Sequence, residues 1–294
     1  MKDMPEAPLA PGLYIVATPI GNLEDITLRA LRVLRQVDCI ACEDTRQTQK
    51  LLAHFNIHTP TVSYHQHNER ARGAELLLRL KNGESLALVS DAGLPGISDP
   101  GAEIVQLAIA AGIAVTPIPG PCAAVTALAA AGLSTERFLF LGFAPARAGE
   151  RRSFFESLRG ERATLIFYEA PHRILSTLED AAAVFGADRP AVLARELTKI
   201  HEEFLRGPLQ ALLATLGGRE IQRGEMTLLL AGAPEADAQA SATPTASLSA
   251  RLAELMLAES LDEMAALKRI ARERGASKSA LYRELQRERS RQGH

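Results

Sequence analysis

The chain has 294 residues, of which 47% are apolar, 23% charged and 4% aromatic, and its formal net charge is −2. This length exceeds what one core of about 150 residues needs, so we expect more than one domain. The N-terminus lacks an apolar signal core, and no apolar run reaches the roughly 18 residues of a membrane span. Three cysteines are too few for a disulfide framework, so we expect a reduced, cytoplasmic protein.

The first part of the chain, residues 12–119, alternates short apolar runs with segments of helical period. Strands are predicted at residues 13–17, 38–42, 86–90 and 114–118, and helices near 26–36, 46–54, 68–82 and 101–111. This alternation predicts an α/β domain with a mainly parallel sheet covered on both faces. Cys39 and Cys42 form a C-x-x-C pair, but they lie inside a predicted apolar strand without a second pair at metal spacing. A structural role is therefore favoured for them.

A proline-rich stretch at residues 117–121 predicts a hinge, because three prolines in five residues cannot continue a regular element. A helix is predicted at 122–132, followed by strands at 138–143, 164–168, 191–196 and 226–231. We therefore expect an N-terminal α/β domain (12–119) and a C-terminal α/β domain (120–232). A flexible linker (233–247) rich in Ala, Ser, Thr and Pro would lead to a third unit (248–294).

The third unit is basic. From residue 264 to 294 it has nine Lys and Arg against three Glu, a net charge of +6 in a chain whose total is −2. A helical apolar stripe ends near Gly275, and Ser277 can cap a second helix, which is the outline of a helix-turn-helix. Such a basic unit favours contact with nucleic acid phosphates; the alternative is a solvated helical tail. The candidate RNA contacts in it are Lys268, Arg272, Lys278 and Arg283.

A glycine- and proline-rich loop, residues 90–101, follows the strand predicted at 86–90. Loops at the carboxyl ends of parallel strands are where α/β folds bind ligands, and Asp91 in this loop can accept hydrogen bonds. The loop contains no basic residue and matches neither a dinucleotide fingerprint nor a phosphate loop. It therefore favours a neutral or cationic nucleoside cofactor over a polyphosphate, although a purely structural loop is an alternative.

Acidic residues follow other predicted strands. Glu43 ends an apolar strand, and Arg46 nearby could orient a carboxylate that accepts a proton from an attacking hydroxyl. The alternative for its neighbour Asp44 is a helix N-cap, which we favour. Glu196 follows another strand and is the second candidate base.

Basic residues also follow strand ends in the second part. Arg173, Arg195 and Lys199 are candidate phosphate or base contacts, with surface ion pairs as the alternative for each. The histidines show no metal-ligand spacing, so no metal site is expected.

Five motifs in order resemble the tetrapyrrole-methylase-type (class III) methyltransferases. They are YIVATPIGNL at 14–23, EDTR at 43–46, VSDAG at 89–93, PGPCA at 119–123 and GEMT at 224–227. The resemblance covers about residues 12–232, and the helical tail resembles that of one branch. That branch methylates a cytidine 2′-hydroxyl in the decoding region of bacterial 16S ribosomal RNA.

The resemblance implies a cofactor, S-adenosylmethionine, bound folded in the cleft between the two α/β domains. The implied cofactor-binding residues are Asp91, Gly93, Leu94, Pro95, Ala123, Ala124, Tyr168, Ala194, Met226 and Thr227. It also implies a homodimer, and 16S rRNA within the small ribosomal subunit as partner. For transfer to a ribose hydroxyl, Glu43 is the first candidate base and Glu196 the second, with Arg46 orienting the base or holding a phosphate.

Two departures from the tetrapyrrole enzymes favour the ribosomal RNA branch. Ser90, Asp91 and Ala92 stand where those enzymes typically have Gly-Asp-Pro, and Cys122 stands where many have Ser. Two alternatives stay open at this point: a methyltransferase acting on a small tetrapyrrole, and a non-catalytic RNA-binding assembly protein.

Overall fold

The computed structural model describes residues 8–234, 252, 255–256, 262–273, 281–283 and 285. By its internal contacts the chain divides into two compact units, Met1–Gly232 and Ala233–His294. Two five-stranded sheets lie in the first unit. Across these described residues, we find no helix that is both apolar enough and long enough to cross a membrane.

The first sheet is parallel throughout, as predicted. Its strands are β1 (Gly12–Val16), β2 (Cys39–Cys42), β3 (Thr61–Ser63), β4 (Ser85–Val89) and β5 (Val115–Ile118), in the order β3-β2-β4-β1-β5. The sequence did not predict β3, because its three residues, Thr-Val-Ser, form no apolar run. Pro117 lies inside β5, where it is tolerated because β5 is an edge strand that bonds to a neighbour on one side only.

Helices cover both faces of this sheet. They are α1 (Leu28–Gln36), α2 (Thr45–His54), α3 (Glu69–Lys81) and α4 (Ala102–Ala110), and a short 3-10 helix, Leu23–Asp25, precedes α1. Because successive strand residues point to opposite faces, Val16 packs in the cluster that contains α1 and α2. Leu13 packs in the cluster that contains α3 and α4. The expected two-sided burial explains the continuous apolar strands.

The second sheet is mixed. Its strands are β6 (Phe138–Phe143), β7 (Thr164–Glu169), β8 (Pro190–Arg195), β9 (Glu203–Pro208) and β10 (Met226–Leu230), in the order β6-β7-β10-β8-β9. Only the β6–β7 pair is parallel. The sequence did not predict β9, whose residues are half-buried or exposed and include charged side chains. Since β7 and β8 both run antiparallel to β10, their carboxyl ends lie at the same edge of the sheet, beside the start of β10.

Four helices pack on the second sheet. They are α5 (Ala123–Ala131), α6 (Ala148–Ser157), α7 (Ile174–Phe185) and α8 (Leu209–Gly217). One face carries α6, α7 and α8 around buried Phe155 and Phe167. The other face carries α5, whose alanines pack in a cluster that also contains Ile20 from the loop after β1. Helix α5 and Ile20 therefore join the two sheets into one body.

The second unit contains the helix α9 (Glu263–Glu273), which follows an aspartate cap. The Asp262 side chain accepts a hydrogen bond from the Ala265 N–H at 2.6 Å. Of the predicted apolar stripe, Leu267, Ile270 and Ala271 are buried in one cluster with Leu252, Leu255, Leu281 and Leu285, whereas Met264 is 50% exposed and Leu261 lies outside the described residues. The predicted turn at Gly275 and cap at Ser277 lie outside the described residues, as do residues 235–250, which include most of the predicted linker.

Candidate functional site

Two loops at the carboxyl edge of the first sheet are tied together. The N–H of Thr18 donates to the Gly93 carbonyl at 2.9 Å, and the N–H of Gly93 donates back to Thr18 at 3.0 Å. The Thr18 hydroxyl also donates to the Ser90 carbonyl at 3.1 Å. Gly93 has φ +85°, a conformation that favours glycine. The loop after β4 therefore has a defined shape next to the loop after β1.

The second sheet presents its own edge to these loops. Tyr168 of β7 and Ala194 of β8 both pair with Thr227 of β10. The Tyr168 hydroxyl accepts a hydrogen bond from the N–H of Ala124 in the first turn of α5, at 3.3 Å. Burial raises the pKa of Tyr168 to about 12, so the phenol keeps its proton at neutral pH. Helix α5 is thus held against the end of the second sheet.

A cavity of about 380 Å³ lies between these loops and the second sheet. Its lining comes from both sheets: Ile20, Ala92, Gly93, Leu94, Ile97, Ser98, Asp99, Cys122, Ala123, Phe143, Tyr168, Glu169, Ala170, Pro171, Leu197, Glu225, Met226 and Thr227. Most of these residues are apolar, and among those described here none is Lys or Arg. Such a wall suits an apolar or cationic ligand and disfavours a polyphosphate.

Six of the predicted cofactor residues line this cavity: Gly93, Leu94, Ala123, Tyr168, Met226 and Thr227. The other four lie just outside the lining. Asp91 accepts a hydrogen bond from the Asp44 N–H at 3.1 Å, Ala124 contacts the Tyr168 hydroxyl, and Ala194 is buried in the sheet. Pro95 is buried within its loop.

Several lining residues were not singled out from the sequence. Asp99 lies in the loop 90–101, for which the sequence predicts ligand binding, but Asp91 and not Asp99 was chosen from that loop as the hydrogen-bond acceptor. Phe143 is the last residue of β6 and Leu197 is the second residue after β8, and a position at a strand end is the signal that could have found them.

Glu43 is half-buried at the carboxyl end of β2 but is not among the residues that line the cavity. Burial and the neighbouring Asp91 carboxylate raise the pKa of Glu43, with His65 opposing the shift and Asp44 adding to it. A raised pKa suits a general base.

Arg46 does not orient Glu43 as expected. Its guanidinium makes hydrogen bonds of 3.1 and 2.9 Å to both oxygens of Asp44, whose side chain also caps α2 by accepting from the Arg46 N–H at 2.8 Å. The cap favoured for Asp44 is therefore confirmed, and these bonds lower the pKa of Asp44 to about 2. With an 85% exposed side chain, Arg46 sits on the surface instead of behind the base.

Glu196, the second candidate base, is occupied by other groups. Its Oε1 atom lies 2.8 Å from Lys199 Nζ and accepts a hydrogen bond from the Glu225 N–H at 3.0 Å. The Lys199 hydrogen bond lowers the pKa of Glu196, which weakens it as a base. Glu196 also has φ +52°, and its side chain packs where a Cβ at Gly224 would clash, so the residue shapes this turn.

These elements match a known family. The sequence model described as Tetrapyrrole (Corrin/Porphyrin) Methylases matches residues 12–213, which include the whole first sheet and strands β6 to β9 of the second. The chain belongs to the tetrapyrrole methylase family. The family predicted from the five motifs is thereby confirmed.

Within the tetrapyrrole methylase family, the chain is similar to proteins named ribosomal RNA small subunit methyltransferase I. The one from Pseudomonas aeruginosa is 49% identical over 281 residues, which cover 94% of this chain and 97% of that protein. The one from Escherichia coli O157:H7 is 49% identical over 274 residues, covering 92% and 93%.

Solved structures of tetrapyrrole methylases share the fold. A uroporphyrin-III-C-methyltransferase from Thermus thermophilus is 22% identical with a TM-score of 0.53, covering 74% of this chain and 93% of that one. A structure of the Thermus thermophilus enzyme complexed with S-adenyl homocysteine is 18% identical with a TM-score of 0.52, covering 74% and 96%. The predicted fold is confirmed for the two sheets.

The basic residues expected to contact substrate in the tetrapyrrole methylase body are all held in ion pairs. Arg173 lies 3.2 Å from Glu169 and donates to the Ala144 carbonyl at 2.6 Å. Arg195 bonds to Glu203 at 2.9 Å. Lys199 pairs with Glu196 and Glu225. These contacts agree with ion pairing, the alternative to phosphate or base contact that the sequence left open for all three residues.

The four candidate RNA contacts in the third unit differ in whether the structure describes their side chains. Lys268 and Arg283 are exposed, whereas Lys278 and the side chain of Arg272 lie outside what the structure describes. Cys39 and Cys42 are buried in β2, in agreement with a structural role. Over the described ranges, no group of three or more potential metal ligands is found.

Proposed function

We propose that this chain transfers a methyl group from S-adenosylmethionine to the 2′-hydroxyl of a cytidine in the decoding region of bacterial 16S ribosomal RNA. The coarser statement, that it is an S-adenosylmethionine-dependent methyltransferase of ribosomal RNA, rests on one observation. This is the 49% identity to ribosomal RNA small subunit methyltransferase I proteins over nearly their whole length. The cytidine and the 2′ position are the finer part of the proposal.

The cavity fits S-adenosylmethionine by its chemistry. Its volume of about 380 Å³ lies in the range of small-molecule sites. Ile20, Leu94 and Met226 supply apolar surface for a purine ring, and the Asp99 carboxylate favours a cationic sulfonium over an anion. When bound there, the cofactor supplies an electrophilic methyl group.

The protein's own part in the reaction is mainly positioning. The Thr18–Gly93 bridge sets the distance between two loops of the first sheet, and Tyr168 anchors the start of α5. Holding donor and acceptor in line removes much of the entropic barrier of a two-molecule displacement. We propose that residues 12–119 and 120–232 act as two halves of this one site, since each contributes lining residues.

Contact with RNA is assigned to the basic third unit, residues 248–294. This assignment is supported by its excess of positive charge and by the exposure of Lys268 and Arg283. The ion pairs of Arg173, Arg195 and Lys199 make these three weaker candidates. We propose that the partner is 16S rRNA within the small ribosomal subunit, in the cytoplasm.

The proposed assembly is a homodimer. Val125 of α5 is 47% exposed, and Phe138 and Leu139 of β6 are 43% and 37% exposed. Strand β6 is an edge strand, and exposed apolar residues at an edge are suited to covering by a second copy. Light scattering on the full chain tests this: a dimer is expected, and Val125→Glu combined with Phe138→Glu should give a monomer.

A tritiated methyl-transfer assay tests the function. Assembled small subunits and naked 16S rRNA lacking the modification are each incubated with the chain and labelled donor. Label is expected in a 2′-O-methylcytidine after nucleoside digestion. Label in a base-methylated nucleoside would overturn the 2′-O position. Absence of label from both RNA substrates, with label transferred to a tetrapyrrole, would overturn the substrate class.

A further inference from the structure

The cavity wall carries three carboxylates, and two of them are occupied. Glu169 is buried, accepts from the Thr177 hydroxyl at 2.6 Å and from the Ala170 N–H at 2.9 Å, and pairs with Arg173. The Oε2 atom of Glu225 lies 3.2 Å from Lys199 Nζ, and the Glu225 side chain is 73% exposed. Both are therefore held by cations.

Asp99 is the third carboxylate on this wall, and no cation of the described residues pairs with it. Its side chain is half-buried and lines the cavity together with Ser98 and Gly93. Glu43, the base expected from the sequence, lies near Asp99 but is not part of the lining. Asp99 is thus better placed than Glu43 to reach a group that enters the cavity.

The backbone before Asp99 is held in an unusual conformation. Ser98 has φ +62°, which costs a non-glycine residue about 1 kcal/mol or more. A Cβ at Gly142 would lie 3.2 Å from the Ser98 hydroxyl, so the loop is packed against β6 of the other sheet. Such strain is retained only where the surroundings impose it, so the packing of the two sheets fixes the loop conformation beside Asp99.

Burial and neighbouring charges make Asp99 a stronger base than an ordinary aspartate. Burial and the Glu43 carboxylate raise the pKa of Asp99 to about 6; Asp91 adds to the shift and the Ser90 hydroxyl opposes it. Tyr168 faces it from β7 and is neutral at this pH. At neutral pH, Asp99 is therefore ionised and yet more basic than a solvated carboxylate, as general-base catalysis requires.

We propose that Asp99 is the general base that takes the proton from the attacking hydroxyl. The step rests on the proposed 2′-O-methylation. As the 2′-oxygen bonds to the methyl carbon, the carbon–sulfur bond breaks, sulfur keeps the electron pair, and the hydroxyl proton passes to the Asp99 carboxylate. Glu43 acts through Asp99 as a positioning residue, since its negative charge strengthens the base without touching substrate.

The test compares Asp99→Asn, Asp99→Glu and Glu43→Gln in the full chain. Asp99→Asn is expected to lower kcat on small subunits by roughly 10²- to 10⁴-fold, whereas the affinity for S-adenosylmethionine measured by calorimetry should fall by no more than about tenfold, the effect of losing one partly solvated charge near the sulfonium. Asp99→Glu should restore part of the rate. Glu43→Gln should lower kcat by less than about tenfold, because the base itself is retained.

The pH profile separates the two acids. For the wild type, kcat/KM for the methyl donor should fall below about pH 6, where Asp99 gains its proton. In Glu43→Gln this acid limb should move to lower pH, because a neighbouring negative charge has been removed. Carboxyl ¹³C NMR without donor should show one aspartate titrating near pH 6 that is missing in Asp99→Asn.

Near-wild-type turnover by Asp99→Asn, with a large loss in Glu43→Gln, would overturn the proposal and return the role to Glu43. If Asp99→Asn does not fold, the pH profile of Glu43→Gln decides. An acid limb of kcat/KM at the same pH as in the wild type would then overturn the proposal. A wild type that labels no ribosomal RNA contradicts the proposed function instead, so the two failures are distinguishable.

Discussion

The backbones of Thr18 and Gly93 exchange two hydrogen bonds, of 2.9 and 3.0 Å, and so join the loops after β1 and β4. These strands are neighbours in the parallel sheet, and Gly93 can close the bridge because its φ is +85°. A Cβ at Gly93 would lie 3.4 Å from Ile20, which also lines the cavity. The bridge therefore controls one wall of the cavity.

Gly93→Ala is expected to weaken cofactor binding. The new side chain adds about 1–2 kcal/mol of backbone strain, and a shift of the loop that relieves this strain would distort the wall formed by Gly93 and Leu94, so affinity for S-adenosylmethionine should fall by about fivefold or more. Calorimetry measures it. Gly83→Ala is the matched control, because Gly83 has φ +88° but nothing within 4 Å of an added Cβ. Equal losses of affinity in both variants would contradict a local role for Gly93.

Asp180 is expected to be important for the stability of the second sheet's helices. It is a buried residue of α7, and the Nε atom of Arg151 in α6 donates a hydrogen bond to its Oδ2 atom at 2.8 Å. Asp180→Asn leaves Arg151, only 4% exposed, without its countercharge, and should lower the free energy of unfolding by about 3–5 kcal/mol. Urea titration provides the measurement.

Arg152→Gln serves as the comparison for Asp180→Asn. Arg152 pairs with the same carboxylate, but its side chain is 62% exposed. Its removal should cost less than about 1 kcal/mol. If Arg152→Gln lowered the free energy of unfolding as much as Asp180→Asn, burial would not explain the contribution of the Arg151–Asp180 pair.

The Glu203 cluster predicts an acid-dependent stability. Hydrogen bonds from Arg219 and Arg195 lower the pKa of Glu203 from 4.5 to about 2. Its stabilisation is therefore complete above the unfolded pKa and is lost as pH falls from about 4.5 through 2. Unfolding followed across this window should show a shallower pH dependence for Glu203→Gln than for the wild type. Identical slopes would contradict the assignment.

Removal of residues 248–294 is expected to weaken RNA binding. Each cation–phosphate interaction that the truncation removes should reduce the slope of log affinity against log salt by about 0.7 to 0.9. Filter binding at several salt concentrations measures this slope, and Lys268→Gln with Arg283→Gln in the full chain should reproduce part of the reduction. Unchanged RNA affinity after truncation would contradict RNA binding by residues 248–294 and would indicate a role in dimerisation or stability instead.

The sequence by itself was sufficient for four of the five strands of the parallel sheet, because strands buried on both faces must be apolar along their whole length. Pattern also located the loop after β4 and, through five motifs, the family. The short polar strand β3 and the half-exposed strand β9 lacked that signal, since their pairing is decided by neighbours distant in sequence.

The tertiary structure decided which charges are available. Arg195 and Lys199 were candidate substrate contacts in the sequence, but folding brings the carboxylates of Glu203 and Glu225 close to them. Arg46 pairs with Asp44, only two residues away, and the structure shows that this pair lies on the surface. Asp99 looked like one more loop aspartate. Its place on the cavity wall, and the Glu43 charge beside it, arise because the carboxyl ends of neighbouring parallel strands converge at one edge. Electrostatic neighbourhood depends on distance in space, which sequence spacing does not give.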